Sequence, residues 1–249
     1  MKTHKLLILS ALSLLSAQII LAQTHRSTFR TNDATIELEE EANTSVVYLF
    51  SDFMPAVIYY PGEYAQMNIN YRLLMDEIIA LDERGETKAL TTREKFDSIV
   101  VNNDMRLVFH NRFGYLEKPP ARNKRFFIKH QSTYTMNEIV PGAYGQASPT
   151  SSAQSVNVLA GRENFSVASR GERLRLENTT GNEVQVNIVA RPTLGLIINN
   201  DFNIINSRRD LNRLFPDHRS EIRSFLRSER ISFDERLDLL KLVEFLDGL

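Results

Sequence analysis

Asp76 and Glu77 are the most direct candidates for acid–base chemistry in this chain. To serve one substrate atom, both carboxyl groups would have to lie within hydrogen-bond reach of it. They stand in a run of strand-forming residues, where neighbouring side chains point to opposite faces. A turn or strand-edge role is therefore expected for the pair. Glycoside hydrolysis stays open, because its two carboxylates can come from distant positions, but no spacing here selects which two. The histidines His25, His110, His130 and His218 are scattered singly, so a metal site would need unrelated elements to converge. His110 and His130 read as strand ends, and His218 as part of a first helical turn. There is no nucleophile elbow, no phosphate-binding glycine loop ending in Gly-Lys-Ser/Thr, no His-Glu-x-x-His and no calcium loop. No catalytic residue, metal or cofactor is expected.

Two stretches carry recognition chemistry instead. "GAYGQASPTSS" combines Gly142, Tyr144, Gly145, Ser148 and Thr150, offering backbone donors, hydroxyls and one aromatic ring. The ordinary reading is a long connection whose Gly and Pro satisfy turn geometry. "RSEIRSFLRSER" spaces Arg219, Arg223 and Arg227 four apart, which on a helix lines three guanidinium groups along one face. Such a face could dock acidic partners or lipid phosphates. The ordinary reading is a wet face opposite Ile222, Phe225 and Leu226, with Glu221, Glu229, Asp234 and Asp238 as ion-pair partners. Residues 208–249 hold equal numbers of basic and acidic groups, so the tail as a whole has no net field for an anion. "RNKRFFIKH" superficially resembles a nucleic-acid stripe, but reads as an amphipathic strand with Arg125 and Lys129 on a charged edge.

The elements that must position these residues begin after an export signal. Lys2 and Lys5 precede an apolar run from Leu6 to Leu21, and the small residue Ala22 is the expected cleavage site, which leaves a mature chain from Gln23. Removing Lys2 and Lys5 leaves 28 basic against 31 acidic side chains, a balance that gives nucleic acid no reason to bind. The chain has no cysteine, so an exported protein of this kind must be stabilised by its core rather than by disulfides.

Residues 23–45 are polar and read as a loose leader with one short strand near Thr35 to Leu38. From Val46, short β-branched and aromatic runs separated by turn signals indicate antiparallel strands. In "MNINYRL", Met67, Ile69, Tyr71 and Leu73 alternate with Asn68, Asn70 and Arg72, which predicts one buried and one wet face. Asn102-Asn103 reads as a tight hairpin and Gly181-Asn182 as a turn. Residues 140–157 form a loop between two β groups.

After Asn206 the apolar period becomes helical. Ser207 is placed to cap a first helix that Pro216 ends, and Asp217 to cap a second. Ser232 with Glu235 fits a capping box for a third, over residues 234–247, which carries a broad apolar stripe through Leu239, Leu242, Val243 and Leu246. The expected fold class is α+β: mainly antiparallel β in two groups of short strands, forming a curved sheet, sandwich or partly open barrel, followed by a three-helix C-terminal segment. The expected domains are a β unit over 46–206 and a helical segment over 207–249 packed on it.

Three places carry a resemblance. They are Gly62, Asn70, Tyr71, Asp76 and Glu77 in "AVIYYPGEYAQMNINYRLLMDEI"; Gly142, Tyr144, Gly145, Ser148, Thr150 and Ser151 in the Gly/Ser loop; and the tail "LNRLFPDHRSEIRSFLRSERISFDERLDLLKLVEFL". On these the sequence resembles a family of exported proteins common in Bacteroidetes, to which no activity is assigned. The resemblance implies an envelope location and a β layout with a helical tail, and it implies no activity. The expected function is a non-enzymatic binding or structural protein of the cell envelope. Its partner would be another envelope protein or a glycan, and the mature chain would have no transmembrane segment. The alternatives are a glycan- or peptide-directed hydrolase, and an assembly subunit docking through helix 234–247.

Overall fold

A computed structural model describes residues 24–90, 96–122, 125–141, 147–149, 154–156, 175–178 and 181–249. Among the described residues, fifteen strands and five α-helices follow in chain order. The N-terminal part has β1 (His25–Thr31), β2 (Thr35–Glu37), α1 (Leu38–Glu41), α2 (Thr44–Val47), β3 (Met54–Tyr60), β4 (Glu63–Arg72), β5 (Glu77–Leu81) and β6 (Thr87–Ala89). The middle has β7 (Ser98–Val101), β8 (Met105–His110), β9 (Gly114–Glu117), β10 (Phe126–Pro141), β11 (Ala147–Pro149), β12 (Gln154–Val156) and β13 (Arg175–Glu177). The C-terminal part has β14 (Val184–Ile198), β15 (Asp201–Ile205), α3 (Arg208–Leu214), α4 (Arg219–Ser228) and α5 (Arg236–Asp247).

One large antiparallel sheet runs in the order β1-β14-β10-β9-β8-β7-β3-β4-β5-β6, with β11 and β12 added to β10 and β15 to β14; β2 and β13 form a separate pair. The sheet is not closed, but it curls. Val184, Val186 and Ile188 of β14 share one core with Ile58 of β3, Ile69 and Tyr71 of β4 and Tyr115 of β9. At the other end of the long β10–β14 ladder, Phe126, Ile128, Leu194 and Leu196 pack under the C-terminal helices through Leu211, Ile222, Leu239, Leu242, Val243 and Leu246. No helix among the described residues is long and apolar enough to cross a membrane.

Turn chemistry places the hairpins as expected. Asn102 and Asn103 take φ of 48° and 57° between β7 and β8, a conformation that Asn tolerates better than most residues. The β3–β4 hairpin turns at Pro61-Gly62, where Gly62 has φ 86°. Ser207 caps α3, accepting from the Asp210 amide at 3.3 Å.

The leader is more ordered than its polarity suggests. Residues His25–Thr31 form β1, whose Ser and Thr residues suit an edge strand, paired along its whole length with β14. Val46-Val47 belong to the one-turn helix α2, because Asn43 accepts from the Ser45 amide at 3.0 Å and caps it. The expected wet face of β4 is dry at its C-terminal end, where Asn70 and Arg72 are buried. Asn70 accepts from the Phe50 amide at 3.2 Å and donates to the Phe50 carbonyl at 2.9 Å, standing in for a strand partner.

β14 runs unbroken through Arg191-Pro192. β1 pairs with β14 only as far as Ala190, and the pairing with β15 begins at Leu194 of β14. Between them β14 is locally an edge, so the missing Pro192 N–H breaks no second ladder. In the tail, α3, α4 and α5 appear with a 3-10 turn (Pro216–His218) before α4. Asp217 lies in that turn and caps nothing. The expected capping box shifts: Glu235 is the cap residue of α5, while the Ser232 hydroxyl accepts from the Asp234 amide at 3.2 Å.

Candidate functional site

Four constellations of side chains stand out as candidate sites. Asp76 and Glu77 do diverge, but both are buried and engaged rather than exposed at an edge. Asp76 occupies the left-handed region at φ 51° in the turn between β4 and β5. Its Oδ1 accepts from the Tyr71 hydroxyl, from Lys129 Nζ at 2.6 Å and from the Tyr115 amide at 3.2 Å. Lys129, only 2% exposed, also donates to the Tyr115 carbonyl at 3.1 Å. The expected charged-edge lysine is therefore a buried cation tying β10 to the β4–β5 turn. Glu77 faces Arg72 at 3.5 Å, and Arg72 reaches Glu39 at 3.2 Å. The candidate acid–base pair is thus spent on two internal ion pairs that stitch distant parts of the curled sheet together.

Gly114 makes room for the first of these. It has φ 72°, and a Cβ built there would lie 1.5 Å from Asp76 Oδ2. Gly114→Ala is expected to be destabilising on two counts: the left-handed backbone costs about 1–2 kcal/mol for a residue with a Cβ, and the carboxylate must move away from Lys129. Thermal melting followed by circular dichroism checks this. An unchanged midpoint would mean that the turn does not approach β9 so closely.

His130 does not end a strand; it lies within β10, buried. Its Nε2 is 2.7 Å from Glu117 Oε2, and Arg236 from α5 grips the same carboxylate at 2.6–3.0 Å through Nε and Nη2. Arg236 also reaches Asp104 at 3.0 Å. Burial alone would raise the Glu117 carboxyl pKa, but the hydrogen bonds and charges of His130 and Arg236 outweigh it and hold the group below its ordinary 4.5. A depressed carboxyl contributes stability that is present above the unfolded value and lost as pH falls through the folded value. Unfolding free energy should therefore drop on acidification below about pH 4.5, and Glu117→Gln should flatten that limb. Urea titrations across pH 3–6 measure it; a variant with the wild-type slope would contradict the assignment.

The arginine stripe is solvent-exposed, with Ile222 buried on the opposite side of α4. Among the described residues none of the expected carboxylates pairs with Arg219, Arg223 or Arg227. Asp238 instead holds Lys241 at 3.1 Å and accepts from the Ser232 amide, and Glu221 lies 3.5 Å from His218. Arg219 joins Arg209 and Arg213 around an open hollow, where Asp210 supplies a carboxylate 3.5 Å from Arg213. Of the Gly/Ser loop, Gly142, Tyr144, Gly145 and Thr150 lie outside the described residues, and Ser148 falls in β11, opposite Val140 of β10. Loop and arginines are not brought together by any described contact. Among the described residues no three His, Asp or Glu gather as a metal site would need.

The fourth constellation was not foreseen. Register opposes Tyr59 to Tyr64, Val57 to Gln66 and Pro55 to Asn68 across β3 and β4, so all six side chains share the outer face of the sheet. Continuing across the ladder, Val57 pairs with Val100 of β7 and Val100 with Arg106 of β8. Tyr64 is 66% and Tyr59 41% exposed, among the few large apolar side chains left open. Neither phenol hydroxyl has a partner among the described residues, whereas neighbouring Tyr60 packs its ring edge-on to Phe96. At the far end the face is closed off, because Asn70 there is covered by the Phe50–Asp52 segment. What remains is an open face of at most about 14 Å along the strands and about 14 Å across four of them, narrowed at Ser98 of β7, which is buried opposite Tyr59. Its signal was present in "YYPGEY": a Pro-Gly turn pairs Tyr60 with Glu63, which sets Tyr59 beside Tyr64 on one face.

Comparison with known proteins finds no matching family model, no similar curated protein and no similar solved structure.

Proposed function

We propose that this chain is an exported, non-enzymatic binding protein of the cell envelope, and that it binds through the outer face of β3–β4–β7–β8. The observation that carries this is the exposure of Tyr59 and Tyr64 side by side on a rigid hairpin. Tyrosine offers a large contact area with few rotatable bonds, so an ordered tyrosine pair loses little entropy on binding. Leaving two such rings in water is unusual in a chain whose other aromatic residues, among the described ones, are buried or half-buried. The export-type leader supplies the location, and the internal ion pairs of Asp76 and Glu77 support a binding rather than a catalytic role. The apolar stripe of α5 is packed against β10 and β14 within the chain, which weighs against docking through that helix.

The test is co-sedimentation of the mature chain with its native envelope fraction. Tyr59→Ala/Tyr64→Ala should weaken retention about tenfold or more, as expected when two interface hot spots of roughly 1 kcal/mol or more are removed. Arg223→Glu/Arg227→Glu should leave retention unchanged. Loss in the arginine variant with retention in the tyrosine variant would move the binding face to α4.

A further inference from the structure

We infer that the occupant of the β3–β4 platform is a neutral polysaccharide chain. This rests on the platform being the binding face. The first argument is chemical. The C–H face of a sugar ring lies well on an exposed aromatic ring, through dispersion and weak C–H attraction. Sugar hydroxyls both donate and accept, and they need partners that do the same. Gln66 and Asn68, both exposed on this face, each carry a carbonyl acceptor and an NH2 donor. Stacking rings followed along the strand by side-chain amides fit a chain of hydroxylated rings.

The second argument is charge. Among the described residues that register places on the platform, Arg106 is the one ionised side chain. Phosphate-rich or uronate-rich chains would call for several cations with bidentate geometry, which this face does not offer. The arginines of α3 and α4 that could supply it belong to a different part of the fold.

The third argument is area and shape. The open platform amounts to at most about 200 Å², whereas a specific protein complex buries about 800 Å² on each partner. It is an open face rather than a closed pocket, so it suits a segment of an extended chain lying across it more than a small enclosed ligand.

Envelope fractions treated in two ways decide the matter. Periodate cleaves the vicinal diols of sugars, and protease digestion removes protein partners. Periodate should abolish co-sedimentation and protease should leave it intact. In parallel, native gels containing galactomannan or mixed-linkage β-glucan should retard the wild-type chain more than gels containing polygalacturonate. Tyr64→Phe should keep the retardation, since the ring remains, and Tyr64→Ala should lose it. Retention that survives periodate but is destroyed by protease, while still depending on Tyr59 and Tyr64, would overturn the glycan assignment and leave the binding face standing. Retention indifferent to both tyrosines would overturn the binding face itself, and the inference with it. Retardation in the acidic gel alone would overturn neutrality.

Discussion

Arg236→Met is expected to lower the unfolding free energy by about 3–5 kcal/mol, the range found when one partner of a buried ion pair is removed. Arg236 and Glu117 are each only 2% exposed, and they meet through more than one hydrogen bond. Without the guanidinium, the Glu117 carboxylate stays in the interior with His130 as its nearest partner, and Asp104 loses its contact to α5. The helix keeps its apolar stripe against β10 and β14, so the tail should loosen before the sheet does. Hydrogen exchange should register this as faster exchange over residues 236–247 than over β10. Pairing the change with Glu117→Gln removes the stranded charge, and the double variant should lose less than the two single losses added together. Strict additivity would show that the two groups do not interact.

Lys129→Met should cost a comparable amount, with the damage on the opposite face of β10, since Lys129 and His130 are neighbours in that strand. The ammonium holds Asp76 at 2.6 Å, and Asp76 in turn receives the Tyr71 hydroxyl and the Tyr115 amide. Its removal leaves a buried carboxylate in a turn already held at positive φ beside Gly114. A loss of about 3–5 kcal/mol is expected for the single change, and clearly less once Asp76→Asn is added. Chemical denaturation followed by far-ultraviolet circular dichroism measures both; the chain contains no tryptophan to report on unfolding. A single-variant loss below about 1 kcal/mol, the scale of a surface pair, would show that the lysine is hydrated.

These two clusters also mark where sequence reading succeeded and where it stopped. Antiparallel strands, the Asn102-Asn103 hairpin, the Ser207 cap and the switch to helices after Asn206 are local features, written in turn chemistry and periodicity. Long-range pairing is not written locally. Lys129 looks like an edge charge because its partner stands 53 residues earlier, and Glu117 is 119 residues from Arg236. Asn70 and Arg72 obey the alternation of an exposed face, yet the Phe50–Asp52 segment and Glu39, which precede β4 in the chain, cover them. β1 was hidden for the opposite reason: a polar edge strand has the composition of a loop. Pro192 is tolerated within β14 because the gap between β1 and β15 exists once both have paired with β14. Of the proposed binding face, only the Pro61-Gly62 turn was legible. That both rings would remain in water while Tyr60 and Tyr71 turned inward depended on which face the curl of the sheet enclosed.

The central claim is that Tyr59 and Tyr64 form the binding face, and one measurement tests it most directly. The affinity of the mature chain for its native envelope fraction is compared with that of Tyr59→Ala/Tyr64→Ala, with the melting temperature of each as a control for folding. An affinity reduced about tenfold or more at an unchanged melting temperature is the predicted result. Equal affinity in a folded double variant would contradict it.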